Sequence, residues 1–146
     1  FIEELEPLVQ KYHYISFSIM ATGIEFLGKC LDSSAPTWNV SGRAAENFKS
    51  AINTLAALTV YRSHDKLLYE ALRCGFAHSF VPKYGLTLSS KNEMGHLIAH
   101  NDRINLRCED FYKDTISACI EVIQMRFPDS NNKMNKNFPE LSYEKF

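Results

Sequence analysis

Arg73 and His78 stand five residues apart in the segment LYEALRCGFAHSFVPKYG, which spans residues 68 to 85. A guanidinium matches the oxygens of a phosphate group, and an imidazole exchanges protons near neutral pH. The two side-chain types together suit chemistry on a phosphodiester. On a regular helix, a spacing of five residues separates two side chains by about 140° around the axis. They therefore converge only if the helix is distorted near Gly75, or if two chains share one cleft.

Neither residue needs a chemical role to be explained. Arg73 could be a solvated side chain, and His78 could lie at the end of a helix, where a positive charge interacts favourably with the helix dipole. The spacing by itself leaves this ordinary structural role open for both residues.

The elements that must position this pair are helical. Apolar residues recur at the helical period over about residues 3 to 32, which predicts one long first helix with Pro7 in its first turn. Further helices are predicted at about 43 to 60, 63 to 79 and 108 to 127. Pro82 and Pro128 end the third and the last helix, because proline cannot continue a helix.

The middle of the first helix is apolar on more than one face, because Phe17, Met20 and Ile24 add to its main stripe. A helix of this kind is either central in a bundle or partly covered by a second subunit. The sequence leaves both alternatives open.

Between the third and the last helix the hydrophobic period changes. The segments YGLTLSS, GHLIAHN and RINLRC alternate in part between apolar and polar residues, which predicts a small antiparallel hairpin or a three-stranded excursion. Helices joined by mostly short loops favour an antiparallel four-helix bundle. We therefore expect an all-α domain over residues 1–127, with a β-hairpin between the third and fourth helices, and a polar tail over residues 128–146.

Composition limits the partners of the chain. Its 146 residues, of which 45% are hydrophobic and 23% charged, are typical of one globular domain. The formal net charge of -1 argues against non-specific coating of long nucleic acids, so a nucleic-acid contact is expected to be local. The four cysteines form no CxxC pair and indicate free thiols in a reducing cytosol. Because no targeting segment or apolar span is visible, we expect a soluble cytoplasmic protein without a membrane partner.

The context Y-x-x-L-R-C-G-x-x-H-S-x-x-P, at residues 69 to 82, resembles the motif helix of HEPN (higher eukaryotes and prokaryotes nucleotide-binding) domains. The signature of these domains is an arginine followed by four to six residues and a histidine, late in the third helix of a four- or five-helix bundle. The resemblance covers about residues 3 to 127 at the level of the fold and about residues 65 to 112 at the level of sequence.

Members of this family are commonly metal-independent endoribonucleases, or toxin-like components of stress and phage-defence systems, and typically act as dimers with the paired motifs facing each other. The resemblance therefore implies RNA or a nucleotide as ligand, a homodimer, an antitoxin protein as a further partner, and no cofactor or catalytic metal. It assigns Arg73 to binding of the scissile phosphate. It assigns His78 to general acid or base catalysis when the ribose 2′-hydroxyl attacks.

Two positions depart from the family pattern. Cys74 follows the motif arginine, where active members often carry Asn, Asp or His, and a thiol is only a weak hydrogen-bonding group. Phe80 stands where some toxins have a tyrosine that a partner nucleotidyltransferase modifies. A second interpretation is therefore open, in which the chain is a non-catalytic HEPN-like module that binds a nucleotide, RNA or a protein partner through the same cleft.

Residues on the same helix could orient the motif arginine. Tyr69 and Glu70 lie about one turn before Arg73, and either side chain could contact the guanidinium. Glu70 could instead be a surface partner of Lys66, which lies four residues before it.

The remaining candidates follow the motif. Lys83 and Tyr84 could contact RNA through a phosphate and by base stacking, or be solvated loop residues. His96, His100 and Cys108 could hold a metal ion if they faced one another, but exposed hairpin histidines are far commoner, so we predict no metal site.

Overall fold

The computed structural model describes residues 2–32, 42–91 and 93–126, and these residues form a mainly helical fold with a small three-stranded sheet. The helical elements are α1 (Ile2–Lys11), α2 (His13–Leu31), α3 (Ala44–Thr54), a 3₁₀ segment (Ala56–His64), α4 (Asp65–Leu67), a π-helical segment (Leu68–Arg73), α5 (Cys74–Ser79) and α6 (Cys108–Arg126). We call residues 65–79, which are helical throughout, the motif helix. The predicted polar tail lies outside the described residues.

The first helical region is not the single long helix that was predicted. Tyr12 leaves the helical conformation at φ −134° and ψ 60°, and it separates α1 from α2. Pro7 lies inside α1 and beyond its first turn, where its missing N–H leaves one helical carbonyl without the usual partner. Leu5 and Val9 of α1 are buried in the same core as α2.

The second predicted helix is also two segments. Leu55 is extended at φ −77° and ψ 127°, between α3 and the 3₁₀ segment. The carboxylate of Glu121 accepts the backbone N–H groups of Ala56 and Ala57, at 2.9 and 3.3 Å, and so caps the start of the 3₁₀ segment. Because this cap comes from α6, the local sequence did not reveal where α3 ends.

The core has α2 at its centre. Its residues Phe17, Met20 and Ile24 are all buried, and Phe17 stacks on Phe111 of α6 with the ring centroids 6.1 Å apart. Toward its C-terminal end α2 packs against α3 so closely that a Cβ at Gly28 would lie 1.7 Å from the carbonyl oxygen of Asn47. The buried face of α2 is thus covered within one chain.

The sheet comprises β1 (Leu86–Ser89), β2 (Ala99–His100) and β3 (Arg103–Arg107), in the spatial order β1-β3-β2. Strands β2 and β3 form an antiparallel hairpin, and both residues of its turn, Asn101 and Asp102, have positive φ angles.

Strand β1 does not extend the hairpin in the antiparallel sense. It pairs parallel to β3, with Leu86 opposite Ile104 and Ser89 opposite Arg107. The chain between the strands crosses back to allow this pairing, and the buried Asn105 amide holds it by donating to the Ser89 hydroxyl and the Gly95 carbonyl, each at 2.8 Å. These contacts join distant residues, so the alternation of apolar residues could not indicate the strand direction.

Candidate functional site

The motif helix contains one π-helical turn, which ends at Arg73. The N–H of Cys74 donates to the carbonyl of Tyr69, five residues before it, where an α-helix would use a spacing of four. The apolar side of this turn is anchored in the core by Leu68, Ala71 and Leu72. The distortion therefore lies before Arg73, whereas the segment from Cys74 to Ser79 is a regular α-helix.

Arg73 is held by a carboxylate from another helix. Its Nε donates to Oε2 of Glu25, on α2, over 2.5 Å, and the two side chains are only 23% and 21% exposed. Sequence reasoning missed Glu25 because it lies 48 residues away. A signal was nevertheless present, since Glu25 is the one acidic residue in α2.

His78 lies in the last turn of α5, and its side chain is exposed. Within the described residues, no hydrogen bond or ion pair joins His78 to Arg73. The regular helix between them keeps the two side chains about 140° apart around the axis. One chain therefore supplies both groups on one helix but does not bring them together.

Gly75 allows the chain after the motif helix to return across it. A Cβ at this position would lie 2.6 Å from the carbonyl oxygen of Val81 and 3.1 Å from the backbone N of Lys83. The N–H of Lys83 donates to the carbonyl of Ala71 over 2.8 Å, which fixes the returning segment on the helix. The glycine and proline of the motif context thus have a local packing role beside the arginine and histidine.

The two nearby candidates for orienting Arg73 have other partners. Burial and the neighbouring Cys74 thiol raise the pKa of Tyr69, while the positive charge of Arg73 acts in the opposite direction. The ring of Tyr69 packs against Phe48, with the centroids 5.7 Å apart. The π-helical turn explains this placement, because it aligns Tyr69 with the residue five positions later, Cys74, rather than with Arg73.

Glu70 is a surface partner of Lys66 and does not contact the Arg73 guanidinium. Its carboxylate lies 3.9 Å from Nζ of Lys66, four residues earlier, and both side chains are exposed. The predicted contact with the motif guanidinium is therefore made by a different carboxylate.

Lys83 and Tyr84 lie at the surface beyond the motif helix, and Tyr84 is 72% exposed. The guanidinium of Arg103, from β3, lies over the Tyr84 ring at 5.5 Å from its centroid. The parallel pairing of β1 with β3 brings this second cation beside the tyrosine. The arrangement offers an aromatic face flanked by positive charge, which is suitable for a nucleobase and its phosphate.

The three residues considered for metal binding have separate roles. His96 Nδ1 accepts the N–H of Arg107 at 3.1 Å, so its proton resides on Nε2, which lies 2.9 Å from the Tyr61 hydroxyl. The thiol of Cys108 is buried and points at a backbone carbonyl, and burial raises its pKa to about 12. Nε2 of the exposed His100 lies 3.0 Å from the amide nitrogen of Asn101. Among the described residues, no group of three His, Cys, Asp or Glu side chains is arranged to hold a metal ion.

Tyr61 extends the His96 contact into α6. Its buried hydroxyl donates to Oδ2 of Asp114 over 2.7 Å. Burial, followed by this carboxylate, raises the pKa of Tyr61 far above its ordinary value. The three side chains connect the sheet to the helical core through polar contacts.

No protein-family model matches the chain, and no curated protein or solved structure matches it at a significant level. None of the helices in the described ranges combines the length and hydropathy that crossing a membrane requires.

Proposed function

We propose that the chain is a HEPN-like protein that acts as a metal-independent endoribonuclease of a toxin or phage-defence system. The observation that carries the proposal is the arrangement of one helix, in which Arg73 is held by Glu25 and His78 is exposed at the end. A fixed guanidinium and an accessible imidazole are the groups that cleavage of a phosphodiester requires when no metal takes part.

The proposal includes the antiparallel four-helix bundle of this family. In that arrangement α1 and α2 together form the first helix, α3 the second, the motif helix the third and α6 the fourth. The small sheet then falls between the third and fourth helices, where the family context predicts an extended segment.

The proposed active unit is a homodimer, because one chain leaves Arg73 and His78 on different sides of their helix. Phe80 supports this part of the proposal. It is 79% exposed, and it ends α5 in the left-handed conformation at φ 57°, a position usually filled by glycine. That conformation costs a non-glycine residue about 1–2 kcal/mol. An exposed aromatic side chain that also carries backbone strain is best explained by a partner that covers it.

In the proposed reaction, the ribose 2′-hydroxyl attacks the adjacent phosphorus and the bond from phosphorus to the 5′-oxygen breaks. Arg73 binds the non-bridging oxygens, on which negative charge accumulates in the transition state. His78 of the facing subunit makes one of the two proton transfers, either accepting the proton of the 2′-hydroxyl or donating a proton to the leaving 5′-oxygen, and water makes the other. Tyr84 and Lys83 contact the flanking nucleotide.

The test is cleavage of structured and single-stranded RNA in EDTA by wild type, Arg73→Lys and His78→Ala. His78→Ala is expected to lose about 10²- to 10⁴-fold in rate with little loss of RNA affinity, because proton transfer acts in the transition state. Arg73→Lys keeps the charge but loses the bidentate fork, so a large loss of rate and a smaller loss of affinity are expected. His64→Ala, the same substitution outside the motif, is the control and should cleave like wild type. Undiminished cleavage by His78→Ala would exclude this mechanism.

Mixing the two inactive variants tests the shared cleft. If each site takes Arg73 from one subunit and His78 from the other, a heterodimer of Arg73→Lys with His78→Ala contains one intact pair. Random mixing makes half of the dimers heterodimers, so about a quarter of the wild-type activity should return. No recovery would place both groups of a site in the same chain.

The second candidate function is a non-catalytic HEPN-like module that binds a nucleotide, RNA or a protein partner. The specific observation in its favour is the Cys74 side chain, which interacts with Tyr69 and provides no strong polar group next to Arg73. Expression in a bacterial host separates the candidates. A ribonuclease should be toxic, with toxicity relieved by His78→Ala, whereas a binding module should be harmless.

A further inference from the structure

The contact between Arg73 and Glu25 uses one particular edge of the guanidinium. The Glu25 carboxylate accepts from Nε, and within the described residues the Arg73 guanidinium makes no other hydrogen bond. A guanidinium carries five N–H donors, of which four are on the two terminal nitrogens. The terminal edge, which is the one suited to a bidentate contact with an oxyanion, is thus left available.

Glu25 is itself well fixed. Its neighbours Ile24 and Leu27 on α2 are buried in the core. The backbone that carries the Glu25 carboxylate therefore does not move independently of the fold. The pair is mostly buried without being inaccessible, and such a pair contributes little net stability because desolvation offsets the attraction between the charges. Stability alone therefore does not account for a carboxylate at this point of α2.

We infer that Glu25 is a positioning residue, which accepts the Nε–H of Arg73 and thereby turns the two terminal nitrogens toward the scissile phosphate. This inference rests on the proposed function and adds to it the residue that sets the orientation of the phosphate-binding group. A misplacement of about 1 Å in such a group can cost about 10²-fold in rate. The carboxylate acts through its reach and direction, and its charge is secondary.

Two substitutions separate reach from charge. Glu25→Gln keeps the length and an oxygen acceptor but removes the charge, so it should retain most of the wild-type kcat. Glu25→Asp keeps the charge but is one methylene shorter, so it should lower kcat about 10- to 100-fold with little change in KM. Glu70→Asp makes the same change on the surface of the motif helix, at the pair with Lys66, and should leave kcat unchanged.

The result that overturns the inference is a kcat of Glu25→Asp equal to that of wild type, or a kcat that rises in Glu25→Gln. The second outcome would show that the carboxylate competes with phosphate for Arg73. The thermal midpoint of each variant shows whether it is folded, and if Glu25→Asp is unfolded, Glu25→Ala with rescue by Glu25→Gln replaces it.

A readout without activity distinguishes failure of this inference from failure of the proposed function. The Nε–Hε signal of Arg73 in a nitrogen-15 NMR spectrum, assigned by its loss in Arg73→Lys, should exchange slowly with water in wild type and Glu25→Gln. It should exchange rapidly in Glu25→Asp. If the three proteins show this exchange pattern but wild type cleaves no RNA, the ribonuclease is refuted and the contact between Glu25 and Arg73 is retained. Rapid exchange of the Arg73 Nε–Hε proton in wild type would refute the contact itself.

Discussion

At the scale of single residues, the motif combines groups for chemistry with groups for packing. Arg73 and His78 could be selected from the sequence because their types and their context are local. Glu25 could not be selected, since its role depends on how α2 packs against the motif helix. Glu70, which is closer in sequence, pairs with Lys66 instead. Residue types therefore predict candidate chemistry, and tertiary contacts decide which candidates meet.

Gly75→Ala is expected to lower the free energy of unfolding by about 1–3 kcal/mol. Alanine is favoured over glycine in a helix by about 1 kcal/mol. However, the new Cβ would overlap the Val81 carbonyl, and backbone atoms cannot rotate away from it. Displacement of the returning segment also removes the hydrogen bond from Lys83 to Ala71, which is worth about 1 kcal/mol. The loss of stability caused by the overlap therefore exceeds the gain from the helix preference of alanine.

Urea denaturation of the two proteins measures this difference. Ser79→Ala, at the exposed end of the same helix, serves as the control and should change stability little. A Gly75→Ala protein as stable as wild type would mean that the returning segment does not press on the helix.

At the scale of secondary structure, the sequence predicts the elements that local signals determine, and it does not predict those that depend on distant contacts. The hydrophobic period indicates the motif helix and α6, and Pro82 marks where the motif helix must have ended. The Asn101–Asp102 turn lies between β2 and β3. All of these signals are local. The end of α3 and the parallel direction of β1 depend on α6 and β3. The π-helical turn has no sequence signal, because its residues are ordinary helix formers.

The contacts of His96 make the attachment of the sheet sensitive to pH. Burial lowers the pKa of His96 below its ordinary value of 6.5, against the opposing effect of Asp110 and Asp114 and with the help of Arg107. A protonated imidazole could no longer accept the N–H of Arg107. Below about pH 6.5 the unfolded chain therefore binds more protons at this residue than the folded one does.

The expected result is a contribution to the free energy of unfolding that is fully present above about pH 6.5 and decreases as the pH falls toward the lower pKa of folded His96. In His96→Asn the side-chain oxygen can replace Nδ1 as the acceptor, but the residue does not titrate. The free energy of unfolding of this variant should therefore lack the decrease below about pH 6.5 that His96 causes. Urea denaturation of both proteins at a series of pH values gives the difference. Curves that stay parallel below pH 6.5 would contradict the prediction, and parallel curves between about pH 7 and 8 are the internal control.

At the scale of the whole molecule, the sequence indicated the mainly helical class because long periodic segments dominate it. It also indicated a helix with two apolar faces, and the structure buries one of these around Phe17 and Met20. A second subunit could not be assigned from hydrophobicity alone. The proposed second subunit is supported instead by the backbone conformation at Phe80 and by the separation of Arg73 and His78.

Phe80→Gly is expected to act in opposite directions on folding and on assembly. Glycine relieves the left-handed strain, so the folded monomer should gain about 1 kcal/mol. The proposed dimer should weaken, because the aromatic side chain at its contact is removed. Sedimentation velocity at several concentrations measures assembly, and urea denaturation at low concentration measures the monomer.

Val60→Ser provides the comparison, since Val60 is another exposed apolar side chain and lies on the 3₁₀ segment. It should leave the dimer intact. A dimer of undiminished affinity in Phe80→Gly would show that Phe80 is not at the contact, and a monomeric wild type would remove the dimer from the proposal.

Strand β3 ends at Arg107 and α6 begins at Cys108, with no loop between them. During synthesis, the motif helix and β1 emerge from the ribosome before this combined segment does. Until it arrives, β1 has no strand to pair with, the 3₁₀ segment lacks the Glu121 cap, and Tyr61 lacks its aspartate. A single late stretch of chain therefore closes the sheet and the core in one event, and the nascent protein carries an open strand edge until that moment.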